Sequence, residues 1–450
     1  MKTFASAALL SVVALSQEIK PIYATPIDKL IEETNGDTSD AGKSFQEICI
    51  ENGFDFETHT VVTDDGYILS VFRIPGLTSE TDTTTSKPPI LMQHGILDSA
   101  NCWIMNYADV APAFVAARAG YDVWLGNSRG NTYSRAHTEY DPDKNEKKFW
   151  NFSWYEMGQY DIPAVIDTIQ AKTGGQKVAY IGHSQGTTQM FSALSENSAY
   201  FADKVPLYVA LGPVSKITNT SDAIFHLAGL FYDDIARTLG VLGIHELLGA
   251  TWFTSGVSDL FCSHIAIVCE LIGTLFISHN PSLDDNTRFA VYMGHEPNGT
   301  SVKSILHYAQ NMKEDRFQVF SDDYTDIFAG DKKRHTDLIP LENIQTVPVA
   351  IFTGIEDPLA DITDAEWTRD QIGDNVVYYE EMQAGHLTFM IGKDMTYFTT
   401  TVMDLLQQYH PLPSSEAETV FLQWSHNDLV FTSSIYSLHN SLFLFYFADF

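Results

Sequence analysis

The residues best suited to chemistry lie in VAYIGHSQGTTQM (178–190), where Ser184 stands between Gly182 and Gly186. A serine hydroxyl is a weak nucleophile until a base takes its proton and a third group orients that base. The Gly-x-Ser-x-Gly spacing draws its meaning from context. KVAYIG reads as a strand that enters Ser184 directly, and GTTQMFSALSEN reads as the helix that leaves it. Strand, sharp turn and helix is the arrangement that lifts a nucleophile clear of its neighbours at a strand tip. The flanking glycines remove side chains that would collide with the adjoining strand and helix. The plainer alternative is a strand-to-helix turn that happens to contain serine.

A serine on such a turn is served, in chain order, by an acid and then a histidine, each following a late strand. VPVAIFTGIEDPLAD offers Asp357 just past one strand, with Asp361 as a rival deeper in the loop; Asp357, nearer the strand end, is the expected acid. QAGHLTFM follows the last strand and offers His386 as the base. His183 adjoins the serine, but side chains beside the nucleophile point away from it. The oxyanion of a tetrahedral intermediate needs two donors fixed in advance. The expected pair is the backbone N–H of Gln185 and that of Ile96, in LMQHGILDSANCW, where His94 and Gly95 turn the chain back. The chain holds no H-E-x-x-H, C-x-x-C or GxxxxGK[ST], and GNSRGNT (126–132) lacks dinucleotide spacing, so neither cofactor nor metal is expected.

These groups must be held by a sheet. THTVVTDDGYILSVFRIP (58–75) reads as a hairpin around Asp64-Asp65-Gly66. Apolar runs follow at 89–95, 121–127, 177–183, 205–212, 347–354 and 375–382. Short apolar runs alternating with helices indicate a mostly parallel sheet of eight strands, covered on both faces, in an α/β fold. The core is expected over 43–214 and 338–410. Between them, at 215–337, helical spacing (Ile224, Leu227, Leu230, Phe231, Ile235, Leu239) replaces the strand rhythm, as in a cap or lid inserted over the sheet's carboxyl edge. LFCSHIAIVCELIGTLFIS (260–278) contains His264 and Glu270, which favours a buried cap helix over a membrane span. Residues 411–450 form an appended tail.

The net charge of -32 opposes binding to a phosphate backbone and suits an acidic compartment. MKTFASAALLSVVALS (1–16) has the basic start, apolar run and small residues of a secretory signal, followed by a linker at 17–42. Candidate N-glycosylation sequons at Asn151, Asn219 and Asn298 fit an exported chain. The four cysteines are too few for a disulfide scaffold; a bridge from Cys262 to Cys269 is too far to close along a continuous helix, and free buried thiols are expected.

With these residues in place, the chain from about Phe45 to His410 resembles the acid lipase family of gastric and lysosomal lipases. The likeness rests on VVTDDGYILSVFRIP, LMQHGILDSANCW, AGYDVWLGNSRGNTYSR, FWNFSWYEMGQYDIPAVIDTI, YIGHSQGTTQ, GTSVKSILHYAQ, TGIEDPLAD and AGHLTF. It implies an α/β-hydrolase fold with a cap and lid, and serine-dependent hydrolysis of triacylglycerols or steryl esters at acidic pH. The apolar cap is expected to act at a lipid–water interface, and the signal-like start and sequons point to the secretory pathway, either outside the cell or in a lysosome-like lumen. Matched motif by motif, Ser184 is the implied nucleophile, Asp357 the acid, His386 the base, and Ile96 and Gln185 the oxyanion donors. Two positions depart from the family pattern: Ile96 stands where leucine is usual, and Thr388 where aspartate often follows the catalytic histidine. The rival readings are an esterase for short soluble esters and a non-catalytic lipid carrier on the same fold.

Overall fold

The computed structural model describes residues 36–80, 86–221, 243–249, 279–322 and 335–413. The signal-like leader, the apolar 260–278 run, Cys262 and Cys269, and nearly all of the tail lie outside the described residues. The chain divides into two units, Met1–Pro411 and Leu412–Phe450. Cys49 and Cys102 are free, buried thiols. Among the described residues no helix is long and apolar enough to cross a membrane.

The main sheet runs β1 (Glu57–Val62), β2 (Tyr67–Ile74), β4 (Asp122–Leu125), β3 (Pro89–Gln93), β6 (Ala179–His183), β7 (Tyr208–Leu211), β10 (Val349–Gly354) and β11 (Val376–Met382) in spatial order. β5 (Ala136–His137) pairs with β2 as a ninth strand, so the expected count of eight is one short. Two residues carry no periodicity, which is why composition did not reveal it. β1 and β2 form the expected antiparallel hairpin, β2 joins β4 antiparallel, and all pairs from β4 to β11 are parallel. Every residue of β3, β4, β6, β7 and β10 is buried, because helices cover both faces and leave no room for polar alternation. A separate two-stranded ribbon joins β8 (Glu246–Leu247) to β9 (Thr300–Ser301).

Helices of seven residues or more are numbered in chain order: α1 (Phe45–Glu51), α2 (Pro112–Ala119), α3 (Ile162–Lys172), α4 (Gln185–Phe201), α5 (Asn286–His295), α6 (Val302–Glu314), α7 (Ile362–Ile372) and α8 (Met403–Tyr409). Their ends carry local stop and start signals. Ser44 and Glu47 form a reciprocal capping box at α1, and Gly120 in the left-handed region closes α2. Asp361, the rival acid, accepts the Thr363 N–H at 2.7 Å as the N-cap of α7. Of the expected cap region, α5, α6 and the β8–β9 ribbon are among the described elements.

The parallel register brings the four site-bearing loops to one edge. Gln93 lies beside Gly182, His183 beside Leu211, Phe352 beside Leu211 and Gly354 beside Met382. The chain leaving β3, β6, β10 and β11 therefore emerges at the same carboxyl end, where open α/β sheets place their sites.

Candidate active site

Ser184 sits at φ 52° and ψ -120°, between the last residue of β6 and the first of α4. A non-glycine residue in that region is strained, and the surroundings must enforce it. The two glycines make this turn possible. A Cβ on Gly186 would lie 2.2 Å from the Gln93 carbonyl oxygen, and one on Gly182 would lie 2.8 Å from the Gly186 carbonyl carbon. Both contacts are with backbone, so neither can give way easily. The Ser184 N–H is held by the Leu211 carbonyl at 3.1 Å, which ties the turn to β7.

His386 lies on the loop after β11, and its Nδ1 is 2.8 Å from Asp357 Oδ2. Asp357 follows β10, and its other oxygen, Oδ1, accepts the Leu359 and Ala360 N–H groups at 2.8 and 2.9 Å. Burial raises the pKa of the Asp357 carboxyl, but the His386 ring and the backbone donors outweigh it and hold the group below its ordinary value. A carboxylate at Nδ1 makes that nitrogen the donor and leaves Nε2 as the acceptor, the tautomer that a base for serine requires. The Ser184 hydroxyl and His386 Nε2 are not hydrogen-bonded in this structure; such contacts are often long in a free enzyme and tighten when substrate binds.

His183 is fully buried, and its Nε2 is 3.0 Å from the His386 carbonyl oxygen. Burial, with the neighbouring His386, lowers its pKa to about 3, so it stays neutral and serves as a prop for the His386 backbone. A further contribution comes from His94, which sequence reasoning treated only as part of a turn. Its Nε2 accepts the Ser128 N–H at 3.0 Å, so Nδ1 must carry the proton and donate it to the Gly95 carbonyl at 2.7 Å. The Gly95 carbonyl and the Ile96 N–H belong to one trans peptide plane and point in opposite directions. By holding the first, His94 aims the second. Burial lowers the pKa of His94, which preserves this neutral form. An ideal Cβ at Gly95 would lie 3.1 Å from Ser184 Cβ, so this loop abuts the serine. Neither the Ile96 nor the Gln185 N–H has an acceptor among the described residues. The Gln185 N–H also opens α4, whose dipole favours negative charge there.

An apolar pocket opens beside Ser184. Ile96, Val214, Ile217 and Leu359 come from loops, and Ile305 and Tyr308 from α6. The Tyr308 hydroxyl lies 3.0 Å from Thr188 Oγ1, which fixes the ring as a wall. Ser184, Asp357, His386, Ile96 and Gln185 thus gather at one sheet edge; the Asp361 carboxylate, in the same loop as Asp357, caps α7, and the bond to His386 is made by Asp357. Of the sequons, Asn151 is exposed. Asn219 is exposed at the residue level, with its Nδ2 bonded to Asp364 at 2.8 Å. Asn298 is buried, and its Nδ2 donates to Ser99, Glu296 and the His295 carbonyl, a setting with no space for a glycan.

Comparisons with known proteins bear on this geometry. A model described as a partial alpha/beta-hydrolase lipase region matches residues 45–107, and the alpha/beta hydrolase fold model matches 88–393. Rat gastric triacylglycerol lipase is 37% identical over 348 residues, covering 76% of this chain and 86% of its own. Human lysosomal acid lipase/cholesteryl ester hydrolase is 35% identical, over 79% of this chain and 89% of its own. Human lipase member K is 35% identical, over 80% and 89%. The chain belongs to the acid lipase family of α/β-hydrolases. It is a carboxylic ester hydrolase of the lipase type.

Proposed function

We propose that this lipase hydrolyses neutral lipid esters, triacylglycerols or steryl esters, by a two-step acyl transfer in which Ser184, His386 and Asp357 act together. The Ser184 hydroxyl attacks the ester carbonyl as His386 Nε2 takes its proton. The oxyanion forms against the Ile96 and Gln185 N–H groups. When the tetrahedral adduct collapses, the carbon–oxygen bond to the alcohol breaks and His386 returns the proton to the leaving oxygen. Water then attacks the acyl-serine with the same base, releasing the fatty acid and restoring the hydroxyl. Asp357 keeps the imidazole in the Nδ1–H form and stabilises its cation. The observation that carries this reading is the Asp357–His386 hydrogen bond of 2.8 Å at the sheet edge that also bears the strained Ser184.

The apolar pocket, walled in part by α6, suits an acyl chain better than a charged substrate. The relatives' names extend to triacylglycerol and cholesteryl ester, and supply the substrate class for this reading. Acidic working pH fits the net charge of -32, since neutralised carboxylates would relieve its self-repulsion. The signal-like residues 1–16 and exposed Asn151 support passage through the secretory pathway. The test is a panel of emulsified triacylglycerols, steryl esters and soluble butyrate esters, assayed from acidic to neutral pH with Ser184→Ala as control. Long-chain emulsions should be preferred in acid; turnover of the butyrate ester alone would make the protein a soluble-ester esterase.

A further inference from the structure

The geometry points to Asp284 and Thr388 as positioning residues for the base: a buried carboxylate from the segment before α5, acting through one threonine hydroxyl, fastens the loop that carries His386. This inference rests on His386 being the base. It goes further in naming groups that touch neither substrate nor the reacting atoms.

Thr388 Oγ1 is 2.5 Å from Asp284 Oδ1, and the Gly385 N–H donates to the same Oγ1 at 2.9 Å. A hydroxyl has a single proton, and a carboxylate can only accept, so the direction of both bonds is fixed: Gly385 N–H to Thr388, Thr388 O–H to Asp284. The second bond has the short length of a charge-assisted one. Both side chains are buried, Asp284 with no exposed surface at all. The second oxygen of Asp284 accepts the Asn280 N–H at 2.7 Å and lies 3.1 Å from His279 Nδ1. The carboxylate is therefore itself immobilised.

The same segment is stitched to both catalytic loops. The Asp285 N–H donates to the Ile391 carbonyl and the Lys393 N–H to the Leu283 carbonyl, each at 2.9 Å. Asn280 Nδ2 donates to Glu356, the residue before Asp357, at 2.7 Å. On the far side of His386, its carbonyl is held by His183 at 3.0 Å. The chain is thus anchored on both sides of His386: the Ala384–Gly385 peptide plane, one residue upstream, by Thr388 and Asp284, and the His386–Leu387 plane by His183. Anchoring the chain on both sides restricts the backbone from which the imidazole projects, and with it the approach of the ring to Ser184.

The test measures kcat and KM on a soluble butyrate ester, with active sites counted by stoichiometric fluorophosphonate labelling. Because a misplacement of about 1 Å can cost ~10²-fold, Asp284→Asn and Thr388→Val should each lower kcat by roughly 10- to 100-fold, with KM within about twofold. Thr388→Ser keeps the hydroxyl and should stay within about twofold of wild type in kcat, while the double variant should be no worse than the singles because both act through one chain of bonds. Folded variants with unchanged kcat, or with the loss confined to KM, would overturn the assignment. Should Asp284→Asn and Thr388→Val fail to fold, hydrogen exchange on the native protein decides: the Gly385 amide must exchange slowly, and exchange at the rate of an open loop would overturn it. His386→Ala separates the two claims. Wild-type activity in that variant would refute the base itself, whereas its inactivity beside an unaffected Asp284→Asn would refute only the anchoring role.

Discussion

Asp357→Asn changes one atom and should nearly abolish turnover, for a reason visible in the hydrogen bonds. The Leu359 and Ala360 N–H groups both donate to Oδ1, at 2.8 and 2.9 Å. An asparagine must therefore place its carbonyl oxygen there, because its NH2 would face two donors. The NH2 is then directed at His386 Nδ1, where Oδ2 now sits 2.8 Å away. A donor at that position makes Nδ1 an acceptor and moves the ring proton to Nε2, the nitrogen that has to accept the Ser184 proton. In a serine hydrolase this tautomer error costs ~10⁴ in kcat, or about 5.4 kcal/mol at 1.36 kcal/mol per tenfold. The effect should fall on kcat with both emulsified and soluble esters, because the lesion lies in proton transfer and not in the acyl pocket. Thermal unfolding near neutral pH should show a folded protein. On the acid side its stability should change less with pH than that of wild type: Asp357 is held below its ordinary value, so its stabilisation is present above that value and is lost as pH falls through the folded one. Activity within tenfold of wild type in a folded Asp357→Asn protein would refute this reasoning.

Other changes test neighbouring parts. Gly186→Ala forces a Cβ to within 2.2 Å of the Gln93 carbonyl oxygen, and should lower the melting temperature with a cost of about 1–3 kcal/mol or more. Ile96→Ala keeps the backbone donor, whereas Ile96→Pro removes it and should lower kcat by ~10²–10³, measured on a soluble ester. Glu296 is buried near Asp98; burial, then the Asp98 charge, push its carboxyl well above its ordinary 4.5, so the folded protein keeps a proton that the unfolded chain releases. That stabilisation is complete below the ordinary value and is lost as pH rises through the folded one, so Glu296→Gln should flatten the fall in melting temperature toward alkaline pH. Asn151→Gln should shift the mass of protein from a glycosylating host, whereas Asn298→Gln should leave its glycan mass unchanged.

Much of the fold was legible because buried parallel strands announce themselves as short apolar runs ended by glycine. β3, β6 and β10 follow that rule, and the loops after them hold His94, Ser184 and Asp357. Distance from the strand end favoured Asp357 over Asp361 as the acid, and the contacts differ in the same sense: Asp357 meets His386 at 2.8 Å, whereas Asp361 caps α7. β5 escaped because a two-residue strand has no pattern to read. The role of His94 depends on Ser128, 34 positions away, and no local motif connects them. The link between Asp284 and Thr388 spans 104 positions, so the sequence could show only that Thr388 departs from the family's aspartate. Asn298 illustrates the opposite error: a three-residue motif is local, but whether its amide is free is decided by tertiary packing.

The most direct measurement of the central claim is labelling of the folded protein with a serine-directed fluorophosphonate, followed by peptide mass spectrometry. The account predicts a single adduct on Ser184, formed rapidly in wild type and far more slowly in His386→Ala. An adduct on another serine, or labelling of Ser184 unaffected by loss of the imidazole, would contradict it.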